Sequence, residues 1–198
     1  AMNKGVSLAS GEYCIFMNSG DSFYNSSSIS DAFLNIKNED IVTGKTFGKE
    51  KNDERFVHNV EMSFLILFRE TISHQASFIK RTLLIKHPYD EKLKIVSDWK
   101  FFIETIILDN CTFKFCDIYV ASIDLHGISV TNSIMRTQER EQVLSELFPP
   151  RVLSDYYKIK NFDEKSLKTY SIIDKTYRLK RIIFNITNIY IKLKYHFK

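Results

Sequence analysis

What the 198-residue sequence lacks already excludes several classes of protein. It has no uncharged apolar run near the ~20 residues needed to cross a bilayer, so an integral membrane protein is not expected. Its start shows no basic segment leading into an apolar one, which argues against a secretory signal. Cysteines are few and odd in number, Cys14, Cys111 and Cys116, without C-x-x-C spacing; they read as reduced, buried thiols of a cytoplasmic protein rather than a disulfide framework. With 6 glycines and 3 prolines, collagen is out, and 44% hydrophobic, 26% charged and 14% aromatic residues exclude disorder and coiled coil in favour of one sizeable core. Acidic residues are nearly missing from the end of the chain. Residues 166–198 carry +7 with Asp174 as their one acid, while residues 1–165 carry −3. Such asymmetry points to an anionic partner, a nucleic acid or a membrane surface.

What is present alternates between two periods. Glu12 to Met17 is nearly all apolar, as a parallel strand covered on both faces would be. Ser26 to Ser28 offer caps for a helix from about Ile29 to Ile36, and Asp40 to Phe47 reads as strand. A polar loop or hairpin spans Gly48 to Asn59. The apolar run Met62 to Phe68 then resumes the core, followed by a strand over Ala76 to Ile79 and a short helix, Arg81 to Lys86, stopped by Pro88. From Asp98, the positions Trp99, Phe102, Ile103, Ile106 and Ile107 recur at helical spacing up to Asp109-Asn110, and Thr112 to Ile123 returns as strand. This order predicts a mixed α/β sheet flanked by helices. Beyond the loop Asp124 to Asn132 the chain reads as helical: Arg136 to Leu147, and then Lys165 to Phe197. In the latter, Arg178, Arg181, Asn185, Asn188 and Lys192 share one face, with Leu179, Ile182, Ile186, Ile189, Leu193 and Phe197 on another. The expected division is a domain over residues 1–132 and a basic, amphipathic helical extension over 133–198.

Two carboxylates stand where chemistry is often built. Asp21 lies just past the end of a strand, after Asn18, Ser19 and the flexible Gly20, and hard cations such as Mg²⁺ or Mn²⁺ take such oxygen ligands together with a diphosphate. The same four residues also make an ordinary turn and helix cap. Asp98, at a helix start beside Ser97, could deprotonate a hydroxyl as a general base or serve only the helix dipole. His74-Gln75, between two apolar segments, suits a pocket. His126, in a glycine-containing loop, reads as a phosphate or metal ligand or as an ordinary surface histidine.

Several ordered blocks together resemble a family. Asn3-Lys4-Gly5, Ala9-Ser10-Gly11-Glu12-Tyr13 and Phe16-Met17-Asn18-Ser19-Gly20-Asp21 look like the N-x-G-x-x-x-A-x-G-x-Y-x-x-F-x-[ND]-x-x-D signature of family 2 glycosyltransferases of the GT-A (Rossmann-like) fold. His74 to Arg81, Tyr89 to Leu93, Ile95 to Phe101 and Gly127 to Thr131 resemble that family's later blocks in the same order, over roughly residues 3 to 132. The resemblance implies an inverting transfer of sugar from a nucleotide-sugar donor, a UDP-sugar, to a glycan or polyprenyl-linked acceptor in surface polysaccharide biosynthesis. Asp98 would be the catalytic base. Asp21 would hold a divalent metal, Mn²⁺ or Mg²⁺, with Asn18 standing where the family often has Asp. Asn18, Gly20, His74, Gln75, Trp99, Gly127 and Ser129 would line the donor and acceptor sites, and the loop from His126 to Thr131 would close over them.

The family's first β-α-β-α unit, which seats the donor base, has no counterpart ahead of Asn3. The chain is therefore expected to be a partial GT-A domain, with self-association through an exposed sheet edge, and a non-catalytic scaffold or subunit is the second reading. Acceptors of this kind sit on the inner membrane leaflet, so the basic amphipathic tail would place a cytoplasmic protein peripherally on that surface, or would simply pack on the domain. The tail matches no nucleic-acid-binding module, which sets that partner aside.

Overall fold

The computed structural model describes residues 1–48, 53–55, 62–124, 126–127, 131–159, 169, 172 and 176–196. The chain divides into two compact units, Ala1–Ser154 and Asp155–Lys198. The first opens with helix α1 (Met2–Leu8), strand β1 (Tyr13–Cys14), strand β2 (Ser22–Phe23) and helix α2 (Ser28–Asn35). Then come β3 (Ile41–Gly48), β4 (Asp53–Arg55), α3 (Phe64–Arg69), a 3-10 turn (His74–Ala76) and β5 (Ser77–Lys80). The series α4 (Arg81–Lys86), α5 (Ser97–Phe102) with a π-helical continuation (Ile103–Leu108), β6 (Phe113–Ile123) and α6 (Ser133–Leu147) completes it. The division between units falls within α7 (Pro150–Ile159), and the second unit contains α8 (Tyr177–His196).

The fold is a mixed α/β sheet flanked by helices, as the alternation of periods predicts. Strand order is β1-β5-β3-β6-β2, with β4 paired to β3 as a hairpin. Among the described strands only β3 and β6 run parallel, and the other pairs are antiparallel. The centre is β3, whose Ile41, Val42, Thr43 and Thr46 are buried. Its ladder to β6 slips around Gly44, where β6 bulges and brings the Ile118 carbonyl in close. A Cβ at Gly44 would lie 2.6 Å from Val120 Cγ2 and 2.8 Å from Ile118 O, so no other residue fits without movement.

One strand differs from expectation. Glu12 to Met17 is not a parallel strand buried on both faces. Only Tyr13 and Cys14 pair, antiparallel to Lys80 and Ile79, and Tyr13 to Met17 are half-buried at a sheet edge. Continuous apolarity marks burial by any cover, and here it does not specify a central strand. Cys116 is buried, whereas Cys14 and Cys111 are half-buried, and all three are free thiols.

Helix α5 supplies the heart of the core through Trp99, Phe101 and Phe102, continued by Ile103. Asn110, at φ 52°, takes the left-handed conformation and ends the element, with the Cys111 N–H returning to Thr105 O at 2.9 Å. Helix α6, assigned from sequence to the extension, belongs to the first compact unit and buries Val143 and Leu144. Its start is capped by Asn132 Oδ1, which accepts from Met135 N. After it, Pro150 stands at the first position of α7, where its missing N–H is of no consequence.

Candidate functional site

The two carboxylates singled out from sequence are brought near one set of neighbours by separate devices. Asp21 immediately precedes β2, and β2 pairs with β6 at Ser22↔Ser122. That register carries Asp21 to the end of β6, where its Oδ1 accepts from the Asp124 backbone N–H at 2.9 Å. Gly20 makes the approach possible. Its φ is +91°, and a Cβ there would lie 2.9 Å from Asp124 Oδ2. Asp21 Oδ2 in turn accepts from Gln75 Nε2 at 3.1 Å.

The adjacent His74 belongs to a second chain of bonds. Its Nδ1 lies 2.7 Å from Asp98 Oδ2, and its Nε2 lies 3.3 Å from Asn18 Nδ2. With the Asn18 amide nitrogen turned toward it, His74 Nε2 is the acceptor of that pair and Nδ1–H is the donor to Asp98 Oδ2. The other Asp98 oxygen, Oδ1, accepts from the Trp99 N–H at 2.8 Å, in the first turn of α5. Both oxygens keep a second lone pair for a ligand. The two chains meet at consecutive residues, His74 and Gln75, on the 3-10 turn that enters β5.

Behind Asp98 stands a scaffold the sequence reading did not single out. Glu139 of α6 accepts the backbone N–H groups of Lys94, Ile95 and Val96 at 2.8, 2.9 and 3.1 Å, fixing the turn that enters α5. Arg140 lies over the Trp99 ring, 4.2 Å from its centroid, and donates through one terminal nitrogen to the carbonyls of Leu67, Phe68 and Glu70 at the end of α3. Burial, with Arg136 nearby, holds the Arg140 guanidinium down at about 10, and Asp98 acts in the opposite sense. Asp90 accepts from Lys100 Nζ at 2.7 Å, and this bond keeps its carboxyl below the usual range. From the opposite end of the unit, Asn3 holds the Tyr89 backbone at both its N–H and its carbonyl. Burial, and then the Asp98 and Cys14 charges, push the Tyr89 phenol well above its ordinary value.

Of the residues expected at the site, Asn18, His74 and Asp98 are therefore joined in one bonded group and Asp21 and Gln75 in a second, with Gly20 packed close to Asp124. Trp99 is a correction. It is 2% exposed and donates its indole N–H to Leu67 O, so its ring is core under Arg140 and not a pocket wall. Gly127 is exposed and its carbonyl accepts from Thr131, while Ser129 lies outside the described residues. His126 is exposed and its N–H donates to Asp124 Oδ1 at 2.8 Å. Asp124 was missed, although the signal that marks Asp21, an acid at a strand end, marks it too.

Among the described residues, no group of three or more His, Cys, Asp or Glu side chains is placed to hold a metal ion. Asp21, its two oxygens fixed by Gln75 and the Asp124 N–H, is the one expected metal residue and offers a hard cation a single carboxylate.

No protein-family profile matches the chain. It is 30% identical over 139 residues to the "PGL/p-HBAD biosynthesis glycosyltransferase" of Mycobacterium bovis (strain BCG / Pasteur 1173P2), a match covering 68% of this chain and 53% of the relative. The protein of the same description from Mycobacterium tuberculosis (strain ATCC 25177 / H37Ra) matches equally, at 30% over 139 residues. The chain thus spans about half the length of the curated relatives it matches. Among solved structures, S. aureus TarS 1-349 is similar with a TM-score of 0.45 and 18% identity, over 73% of this chain and 48% of that one. The same protein in complex with UDP gives 0.41 and 17% over the same shares, 73% and 48%.

Proposed function

We propose that this chain transfers a sugar from a nucleotide-sugar donor, a UDP-sugar, to a glycan or lipid-linked acceptor, with inversion, as part of a family 2 glycosyltransferase of GT-A type. The observation that carries the reading is the Asn18–His74–Asp98 relay beside the Gln75–Asp21–Asp124 group. Similarity to curated glycosyltransferases supports sugar transfer in general terms.

In this mechanism Asp98 takes the proton of the acceptor hydroxyl as that oxygen attacks the anomeric carbon from the side opposite the departing diphosphate. His74 keeps one Asp98 oxygen aligned and Asn18 fixes the His74 tautomer, so the carboxylate meets the hydroxyl already oriented. Asp21, held by Gln75 and the Asp124 N–H, is the residue that would hold a divalent cation, Mn²⁺ or Mg²⁺. Bound there, such an ion supplies charge neutralisation to the diphosphate. The setting that suits such an acceptor is the inner face of a membrane, with the protein peripheral to it. No described helix is long and apolar enough to cross one.

The test is calorimetric binding of UDP-sugars with Mn²⁺, followed by a transfer assay on lipid-linked acceptors. Asp98→Asn should retain donor binding and lose transfer by about 100-fold or more, the usual share of a general base. Full transfer by that variant would defeat the base assignment. Absence of donor binding by the unmodified chain would identify it instead as a non-catalytic scaffold or subunit.

A further inference from the structure

Helix α8 runs for 20 residues, Tyr177–His196, about 30 Å at 1.5 Å per residue. Its sequence contains Arg178, Lys180, Arg181, Lys192 and Lys194 and no acidic residue. Arg178, Arg181, Asn185 and Asn188 follow one another at steps of three and four and so share one side. Leu179, Ile182, Ile183, Ile186, Ile189 and Tyr190 gather on another, and all six are exposed, from 36% at Ile183 to 61% at Ile186 and Tyr190. A polar side that opens with two arginines and a bare apolar arc therefore share the same helix, with cations at both of its ends and with Phe184 and Ile191 exposed outside the arc.

We propose that α8 lies in the surface of an anionic lipid bilayer, its apolar arc sunk to the acyl boundary and its cations among the headgroups. Each rival cover accounts for half of the helix. A second copy of α8 would bring five cations against five with no acid between them. A nucleic acid would use the cations and leave the arc in water. The bilayer interior is excluded as a place to span, because α8 is too polar to cross it. An anionic interface takes both faces at once. Lys194 Nζ lies 5.9 Å from the Tyr190 ring centroid, a long cationic stem beside an aromatic at the arc's edge, which suits the headgroup level.

The proposal deepens the membrane-side setting given above, yet its test needs no sugar, so failure of transfer and failure of docking are separable. The full chain is floated with vesicles of phosphatidylcholine alone and of phosphatidylcholine mixed with phosphatidylglycerol. It should cofloat with the anionic vesicles, bind the neutral ones at least about tenfold more weakly, and come off in high salt. Arg178→Gln and Arg181→Gln should each weaken binding about fivefold. Ile182→Glu with Ile186→Glu should abolish flotation without moving the urea midpoint reported by Trp99 in the first unit. No flotation of the unmodified chain, equal binding to neutral and anionic vesicles, or flotation that survives the double glutamate variant would each overturn the proposal. So would a dimer in sedimentation that the double variant dissolves, or salt-sensitive DNA binding without vesicle affinity.

Discussion

Replacing Glu139 by Gln should loosen the base of α5 far more than the exchange of one heavy atom on a half-buried side chain suggests. The Glu139 carboxylate accepts three backbone N–H groups in succession, from Lys94, Ile95 and Val96, at 2.8 to 3.1 Å. Hydrogen bonds to a charged acceptor contribute roughly 1.5–3 kcal/mol each when isolated. These three share one carboxylate, so their sum is well below three times that figure. Glutamine keeps one acceptor oxygen, removes the charge, and turns an NH₂ donor toward N–H groups that can only donate. A net loss of about 2–3 kcal/mol follows, or roughly 5–10 °C in Tm for a unit of this size. The assay is urea unfolding followed by the fluorescence of the single tryptophan, Trp99, which lies three residues past Val96 and reports on α5 itself. A Glu139→Gln midpoint equivalent to a loss under about 0.5 kcal/mol would refute the reasoning, because a loss that small is within the range of ordinary surface changes.

Gly44→Ala should cost about 2–3 kcal/mol in the same urea assay, since its Cβ would meet Val120 Cγ2 at 2.6 Å and the Ile118 carbonyl at 2.8 Å; an unchanged midpoint would mean that the β6 bulge yields freely. Arg140→Lys should lose about 1–2 kcal/mol and shift Trp99 emission to the red, because an ammonium cannot reproduce the flat stack together with three carbonyl contacts; unaltered emission would count against the stack. Glu39 is held at about 2, chiefly by the Lys37 N–H, with the Asn38 N–H and Lys114 adding to it. Its folded value lies below its unfolded one, so its stabilisation is complete above about pH 4.5 and fades as pH falls toward about 2. Glu39→Gln should therefore flatten the acid limb of a Tm against pH curve, and superimposable limbs would contradict the assignment.

The parts of this architecture that could be read from the sequence are those set by local chemistry. The helices over Ser28–Asn35 and Arg81–Lys86 were legible from caps, periodicity and Pro88, and the end of the long helix from Asp109-Asn110. Asp21 and Asp98 were legible because each stands at an element boundary. Their shared neighbours were not, since β2 is two residues long and becomes a strand only by finding Ser122 and Ala121 about a hundred positions later. Trp99 was expected at the site because the family resemblance carries the block around Asp98 there, whereas its own helical spacing with Phe102 and Ile103 already fits the core position it takes. Helix α6 was assigned to the basic, amphipathic extension because the family resemblance ends near residue 132 and its own sequence reads as a polar helix. Its attachment is itself largely polar, through Glu139 and Arg140 to backbone groups more than forty positions away, and no local periodicity encodes such contacts.

The parallel pairing of β3 with β6 also sets an order of events during synthesis. Ile41 finds Phe113 as its partner, 72 positions downstream, so at ribosomal rates of about 5–20 residues per second the central strand waits roughly 4–14 s for that neighbour. The β3–β4 hairpin can form first and the antiparallel partner β5 emerges about halfway through that interval, so a β3–β4–β5 sheet whose β6 flank is still open precedes completion of the fold. During that interval the open flank is the surface a chaperone would have to shield, and a variant that slows completion of β6 would lengthen exposure without altering the stability of the finished protein.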